Sequence, residues 1–217
     1  MFNNCDENTN GERWFFERIK SFITTIFDVG CRYDSMFINF TGEVHYFEPM
    51  TEFIEKLQTH PTQNSKSFYN TFGLSNTQES IYYYPTYQSF YDRIESCKQS
   101  DDKNKIILTV KRADDYMRDN NIKAIDFLKI DTEGYELNVI QGFGDKIKNV
   151  NCIQFEYGGT FLDNKIKLID VINYLRDMGF FKFSYLAGNT LVEMTDFTDH
   201  YQYCNIVCFN RETPFVI

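Results

Sequence analysis

The chain is poor in the residues that most readily give a function away. It has one tryptophan, three histidines and four prolines in 217 residues, and its 22 Lys and Arg are outnumbered by 31 Asp and Glu, for a formal net charge of −9. That shortage of base argues against a phosphate-backbone partner, because non-specific nucleic-acid binding rests on clustered Lys and Arg. The pieces KIKNV and NKIKL are short, interleaved with apolar residues, and form no basic stripe. Six cysteines (Cys5, Cys31, Cys97, Cys152, Cys204, Cys208) make no C-x-x-C pair. His45, His60 and His200 add no partner at ligand spacing, so reduced thiols are expected rather than zinc. No apolar run approaches the length of a membrane span. The opening MFNNCDENTNGERW lacks the basic-then-apolar order of a signal peptide. These absences lead us to expect a soluble, cytoplasmic protein with no membrane span and no nucleic-acid partner.

What is present is apolar and aromatic: 42% hydrophobic residues, with 22 Phe and 15 Tyr, enough for one sizeable core. Short apolar runs at 24–30, 42–49, 65–76, 124–131 and 150–157 read as strands. Between and after them lie helical patterns at 50–60 (Phe53, Ile54, Leu57), at 134–147, and at 164–180 (Ile166, Ile169, Val171, Ile172, Leu175, closed by Gly179). The runs FKFSYLAG and YCNIVCFN read as the last strands. Strands alternating with amphipathic helices predict an α/β fold, a mostly parallel sheet with helices on both faces. We expect residues 1–23 to form a tail and packing helix and 24–217 to form one domain. Segment 76–105, crowded with tyrosines, is expected to be a lid or acceptor loop.

In such a sheet ligands bind beyond the carboxyl ends of the strands. Here those ends carry acids: Asp28 with Gly30, then Glu48, Asp131 with Glu133, and Glu156 with Tyr157. Glu48 lies 20 residues past Asp28, at the end of the second strand, the position from which a carboxylate accepts ribose hydroxyls. The turn DVGCRYDS has one glycine, with Arg32 and Asp34 where a dinucleotide-binding turn would carry more, so a pyrophosphate cradle is not expected. S-adenosylmethionine carries no phosphate and asks for less. Glu133 and Glu136 suit the first turn of a helix, where acids complement its dipole. Asp131, at the strand end, suits a base or a ligand of a divalent cation such as magnesium, with Lys129 on the same face to pair with it. His45, in mid-strand, reads as a packing residue, and Trp14 as the anchor of the first helix.

The blocks IFDVG, VHYFEP, FYNTFGLSN and IDFLKIDTEGYELNVIQGF resemble the successive motifs of the FkbM-type S-adenosylmethionine-dependent methyltransferases. The third motif, close to KiDvEGxExxvlxG, is matched at Lys129, Asp131, Glu133, Gly134, Glu136 and Gly142, and IQFE at 153–156 is similar to the strand that follows it. The resemblance implies a Rossmann-like class I methyltransferase fold with a seven-stranded sheet, and transfer to a hydroxyl oxygen, often on a sugar or secondary metabolite. Together with the residues themselves, it leads us to expect a cofactor site at Asp28, Gly30 and Glu48, with Arg32 able to reach the cofactor's carboxylate, and a transfer site at Asp131, Lys129 and Glu133. Asp131 and Glu156 are the metal ligands if a metal is used. Glu156, Tyr157, Tyr84 and Tyr87 are expected to face a small-molecule or glycan acceptor. The family's Asn and second Gly of the first block are replaced by Arg32 and Asp34, which keeps open an inactive, methyltransferase-like binding module. An RNA methyltransferase is a further alternative, disfavoured by the acidic charge.

Overall fold

A computed structural model describes residues 2–85 and 105–210. Helix α1 (Glu12–Ile19) leads into β1 (Thr25–Val29), β2 (Glu43–Phe47), α2 (Thr51–Gln58) and β3 (Lys66–Asn70). Three short strands follow, β4 (Gly73–Ser75), β5 (Glu79–Tyr83) and β6 (Ile106–Arg112), then α3 (Ala113–Asp119), β7 (Ile125–Ile130) and α4 (Glu136–Gly142). The chain closes through β8 (Val150–Tyr157), α5 (Gly159–Asp163), α6 (Leu168–Asp177), β9 (Lys182–Leu186), β10 (Leu191–Glu193) and β11 (Cys204–Phe209).

The main sheet runs β10-β9-β11-β8-β7-β1-β2-β3. From β3 to β8 every pairing is parallel, whereas β11 lies antiparallel between β8 and β9. The expected seven strands become eight because β10 folds back on β9 as an antiparallel hairpin. Its turn closes through the Ala187 N–H to the Thr190 carbonyl at 3.0 Å, which pairs an otherwise free sheet edge. The run 65–76 also divides. Its first half is β3 of the main sheet, and its second half, β4, joins a separate sheet β4-β6-β5.

Each face of the main sheet buries its own aromatic-rich layer. On one face Phe27, Leu128, Ile130, Ile153 and Phe155 pack against α4 and α6. On the other, Phe15, Phe16 and Ile19 of α1 cover Ile26, Val44, Phe127 and Val207, with the Phe15 and Phe127 rings 5.8 Å apart. In α6 the buried stripe is Leu168, Val171, Ile172 and Leu175, while the expected Ile169 is only half-buried. Gly179, with φ +101°, ends that segment as predicted. Asp126, the acid at the head of the KID block's strand, faces away from the strand ends. It accepts the Thr24 N–H at 2.8 Å and the Asn151 amide at 3.0 Å, tying together the starts of β1, β7 and β8.

The small sheet docks on α4. A Cβ on Gly142 would stand 2.0 Å from the Ser75 carbonyl oxygen, so this helix and β4 pack at a distance only glycine permits. That contact places Leu74, Leu108 and Val110 over the carboxyl edge of the main sheet, where they form one wall of a cavity. No helix among the described residues is long and apolar enough to cross a membrane.

Candidate active site

Strand order reverses between β1 and β7, and the cavity opens at that switch point. It encloses about 650 Å³, within the range of roughly 300–1,000 Å³ typical of small-molecule sites. Its floor is the β1 turn against the end of β7. The Asp131 N–H donates to the Val29 carbonyl at 2.9 Å, and the Gly30 N–H to the Phe47 carbonyl at 2.9 Å. Gly30 has φ +82°, and a Cβ there would sit 1.8 Å from the Asp131 carbonyl oxygen. The single glycine that the sequence offers in this turn is therefore the one the backbone cannot do without.

At one end of the cavity stands Glu48, 6% exposed. Its two oxygens accept the Met50 N–H at 2.9 Å and the Arg32 N–H at 3.3 Å. Burial pushes its carboxyl up to about 7, against the pull of those two N–H donors. Arg32 itself has φ +51°, and both it and Asp34 line the cavity. Met50, Phe53, Leu74 and Val110 supply an apolar slot beside Glu48. Asp28 lies beneath the turn rather than on the cavity wall. It accepts the Ser35 hydroxyl at 2.5 Å, and burial, offset in part by Lys129, raises it to about 6. A glycine turn, a carboxylate for ribose hydroxyls and an apolar slot for a flat ring fit S-adenosylmethionine, and the lack of further glycines fits a ligand without pyrophosphate.

The other end is built from charged side chains. Lys129, whose side chain is 13% exposed, reaches Asp131 at 2.9 Å and Glu12 of α1 at 3.7 Å. Burial by itself would discharge this ammonium, but Asp131, Glu12 and Asp28 around it raise its pKa well above the usual lysine value. Asp131 and Glu156 both line this end of the cavity. Burial pushes Asp131 up, yet the Lys129 ammonium overrides it and holds Asp131 below the usual carboxylate range. Glu156 goes the other way, driven far up by burial and then by the negative charge of Asp131.

Asp131, Lys129, Glu133, Glu156, Gly30, Arg32 and Glu48 thus meet in one cavity, although they come from four different strand ends. Glu133 enters it with φ +56°. Glu136 instead turns inward, 1% exposed, and accepts the Thr132 and Gly134 N–H groups at 3.0 and 3.3 Å, as an acid at a helix start is expected to do. Tyr157 is not brought to the site. It alternates with Glu156 along β8 and is fully buried on the core side, where its hydroxyl donates to Asp199 at 3.1 Å. Tyr84 does not line the cavity either, and Tyr87 falls outside the described residues. Tyr83 and Tyr203 take their place. The expected magnesium is not supported by the donor set: Asp131 is taken up by the Lys129 ammonium at 2.9 Å. Among the described residues no group of three or more His, Cys, Asp or Glu is arranged to hold a metal ion. His45 is a satisfied core histidine, with Tyr116 and Glu43 on its two nitrogens at 2.7 and 2.9 Å.

Sequence reading missed Glu12, Gln154 and Tyr203. The period-2 alternation of β8 would have placed Gln154 with Glu156 on the cavity side, but nothing local announces that α1 reaches this site.

The sequence profile of the methyltransferase FkbM domain matches residues 29–182. No curated protein matches the sequence. Among solved structures, the plantazolicin methyltransferase BpumL in complex with SAH is similar over 93% of this chain and 83% of its own, at 10% identity and a TM-score of 0.50. An S-adenosylmethionine-dependent O-methyltransferase from Thermotoga maritima is 12% identical, with a TM-score of 0.43. The METTL16 methyltransferase domain is 10% identical, with a TM-score of 0.46. This chain spans 66% of the length of each of these last two. At such identities the likeness is one of fold.

Proposed function

The chain belongs to the FkbM methyltransferase family, and from that premise we propose that it transfers a methyl group from S-adenosylmethionine to a hydroxyl oxygen of a small, sugar-like molecule. The observation that carries this reading is Asp131 on the cavity wall at the end of β7, with the Lys129 ammonium 2.9 Å from it. An alcohol is a poor nucleophile while it keeps its proton, so a base within reach of its oxygen is what oxygen transfer needs. Asp131, kept ionised by Lys129, accepts the acceptor's O–H as a hydrogen bond and takes the proton as the oxygen attacks. Glu156, whose carboxyl burial and the Asp131 charge push well above the usual range, lines the same end of the cavity. When bound, S-adenosylmethionine supplies a methyl group on a sulfonium, which leaves as a neutral thioether. Glu48 and the Gly30 turn orient the nucleoside, so that much of the rate comes from alignment. Flat Tyr83 and Tyr203 rings at the cavity support a sugar-like acceptor, apolar on its C–H face and hydroxylated at its edge.

Calorimetric titration with S-adenosylhomocysteine, followed by a screen of sugar and glycan acceptors with labelled cofactor, tests the reading. Micromolar binding and label in an alkali-stable ether are expected. Binding without transfer to any hydroxyl compound would point to the inactive binding module, and transfer to an amine would overturn the oxygen assignment.

A further inference from the structure

The matched family domain begins at residue 29, yet the cavity is completed by residues before it. Segment 2–12 runs as a strap across the ends of β9 and β11. The Asn3 N–H donates to the Tyr203 carbonyl at 2.8 Å, and the Tyr203 N–H returns to the Asn3 side chain at 3.1 Å. The Phe2 ring lies 4.7 Å from His200 and 5.5 Å from Tyr185. Further along, the Gly188 N–H donates to the Asn10 carbonyl, and a Cβ on Gly11 would stand 2.7 Å from the Gly188 oxygen. The strap delivers Cys5, Glu7 and Glu12 to the cavity wall, on the side of Tyr203 and Glu156.

Glu12 is the member that reaches the charged cluster. It is 6% exposed, and its two oxygens accept the Asn10 amide at 2.7 Å and the Gln154 amide at 2.9 Å. Gln154 is in turn tied to Asn205 at 3.1 Å, so the Glu12 carboxylate is held from three elements: the strap, β8 and β11. A buried carboxylate so restrained is not a mobile surface charge that happens to face a lysine. It stands 3.7 Å from the Lys129 Nζ, which also meets Asp131 at 2.9 Å.

We propose that Glu12 is a positioning residue of the transfer site, holding the Lys129 ammonium in place beside Asp131, and that the strap carrying it is part of the acceptor-side wall. This rests on the reading of Asp131 as the base. The physical reason is geometric. Lys129 has a flexible four-carbon stem and three N–H donors, so a single carboxylate contact leaves its head free to pivot. A second carboxylate within 3.7 Å of the same Nζ restricts that freedom.

Two measurements on the full chain, with no acceptor needed, test this apart from the methyl-transfer reading. Lysine ammonium groups give resolved proton–nitrogen signals only where exchange with water is hindered. Lys129 is expected to give one in the unaltered protein, to lose it in Glu12→Gln, and to keep it in Glu7→Gln, whose carboxylate pairs with Arg13 instead. In parallel, thermal unfolding is followed for Glu12→Gln in the unaltered and the Lys129→Met backgrounds. A drop in midpoint in the first and a much smaller drop, or a rise, in the second is expected, because without Lys129 the Glu12 charge is a buried anion lacking its cation. A helix that merely needs Glu12 for folding would lose the same amount in both. Should Glu12→Gln fail to fold, Glu12→Asp keeps the charge but shortens the reach, and the ammonium signal should broaden without a large loss of stability. An unchanged Lys129 signal, or equal drops in both backgrounds, overturns the proposal.

Discussion

The two ends of the cavity are held by different kinds of chemistry. At the cofactor end the important partners are backbone groups: Glu48 accepts the N–H groups of Arg32 and Met50, and Gly30 lies against the carbonyl of Asp131. At the proposed transfer end the partners are side chains from distant parts of the chain, with Lys129 in contact with both Asp131 and Glu12. Backbone donors stay where the turn puts them, which suits a site that must recognise one ligand. Side-chain charges respond to one another, which suits a site that must move a proton.

That contrast breaks most sharply at Asp131. Asp131→Asn should cut methyl transfer by ~10²–10⁴-fold, the usual worth of a positioned base, while binding of S-adenosylhomocysteine stays within about threefold. Single-turnover kinetics beside calorimetry would show it, and wild-type turnover in the variant would remove Asp131 from the mechanism. Gly30→Ala should do the converse. A Cβ driven against a backbone carbonyl, at a positive φ, costs about 3 kcal/mol or more of folding stability and takes the cofactor end with it; urea denaturation reads the loss. Glu48→Ala is smaller. Losing a carboxylate's hydrogen bonds to the ribose costs about 1.5–3 kcal/mol, a ~10–150-fold weaker dissociation constant, with no change in the chemical step once the site is saturated.

A further effect is on pH. Burial raises Asp28 to about 6, and Glu48 and Glu136 to about 7. In the unfolded chain these groups lose their protons near their ordinary values of 3.8 and 4.5. Between about pH 4 and 7 the folded chain therefore holds more protons than the unfolded one, and stability falls as pH rises through that window. Asp131 and Asp114, whose values are lowered, act in the opposite sense below it, and His45 and His200, lowered from 6.5 by burial, oppose it in its upper part. Thermal midpoints taken across the window should decline toward neutral pH, and Glu48→Gln should flatten the slope. A midpoint that rises from pH 5 to 7 would contradict this ordering of the buried acids.

Much of the cofactor end can be read from the linear chain because its elements are local. An apolar run buried on both faces announces a parallel strand, and Gly30, Glu48 and Asp131 each sit at the end of one. The pairing of Lys129 with Asp131 is also legible, since residues two apart on a strand share a face. The same rule sets Tyr157, which follows Glu156 directly, on the opposite face, in the core. The tyrosine-rich segment hid a strand: β5 pairs antiparallel with β6, and only that pairing makes Tyr83 a wall residue while Tyr82 is left half exposed.

The sequence by itself determined the alternation of strands and helices, the switch-point location of the site, the glycine turn and the family. These follow from periodicity and from residues only a few positions apart. The tertiary structure alone decided that Glu12, 117 residues before Lys129, stands 3.7 Å from it, that Gln154 clamps it, and that the small sheet roofs the cavity through Gly142. The physical reason is that a local pattern records which face of an element is buried, whereas the identity of the partner across that face depends on how the elements pack.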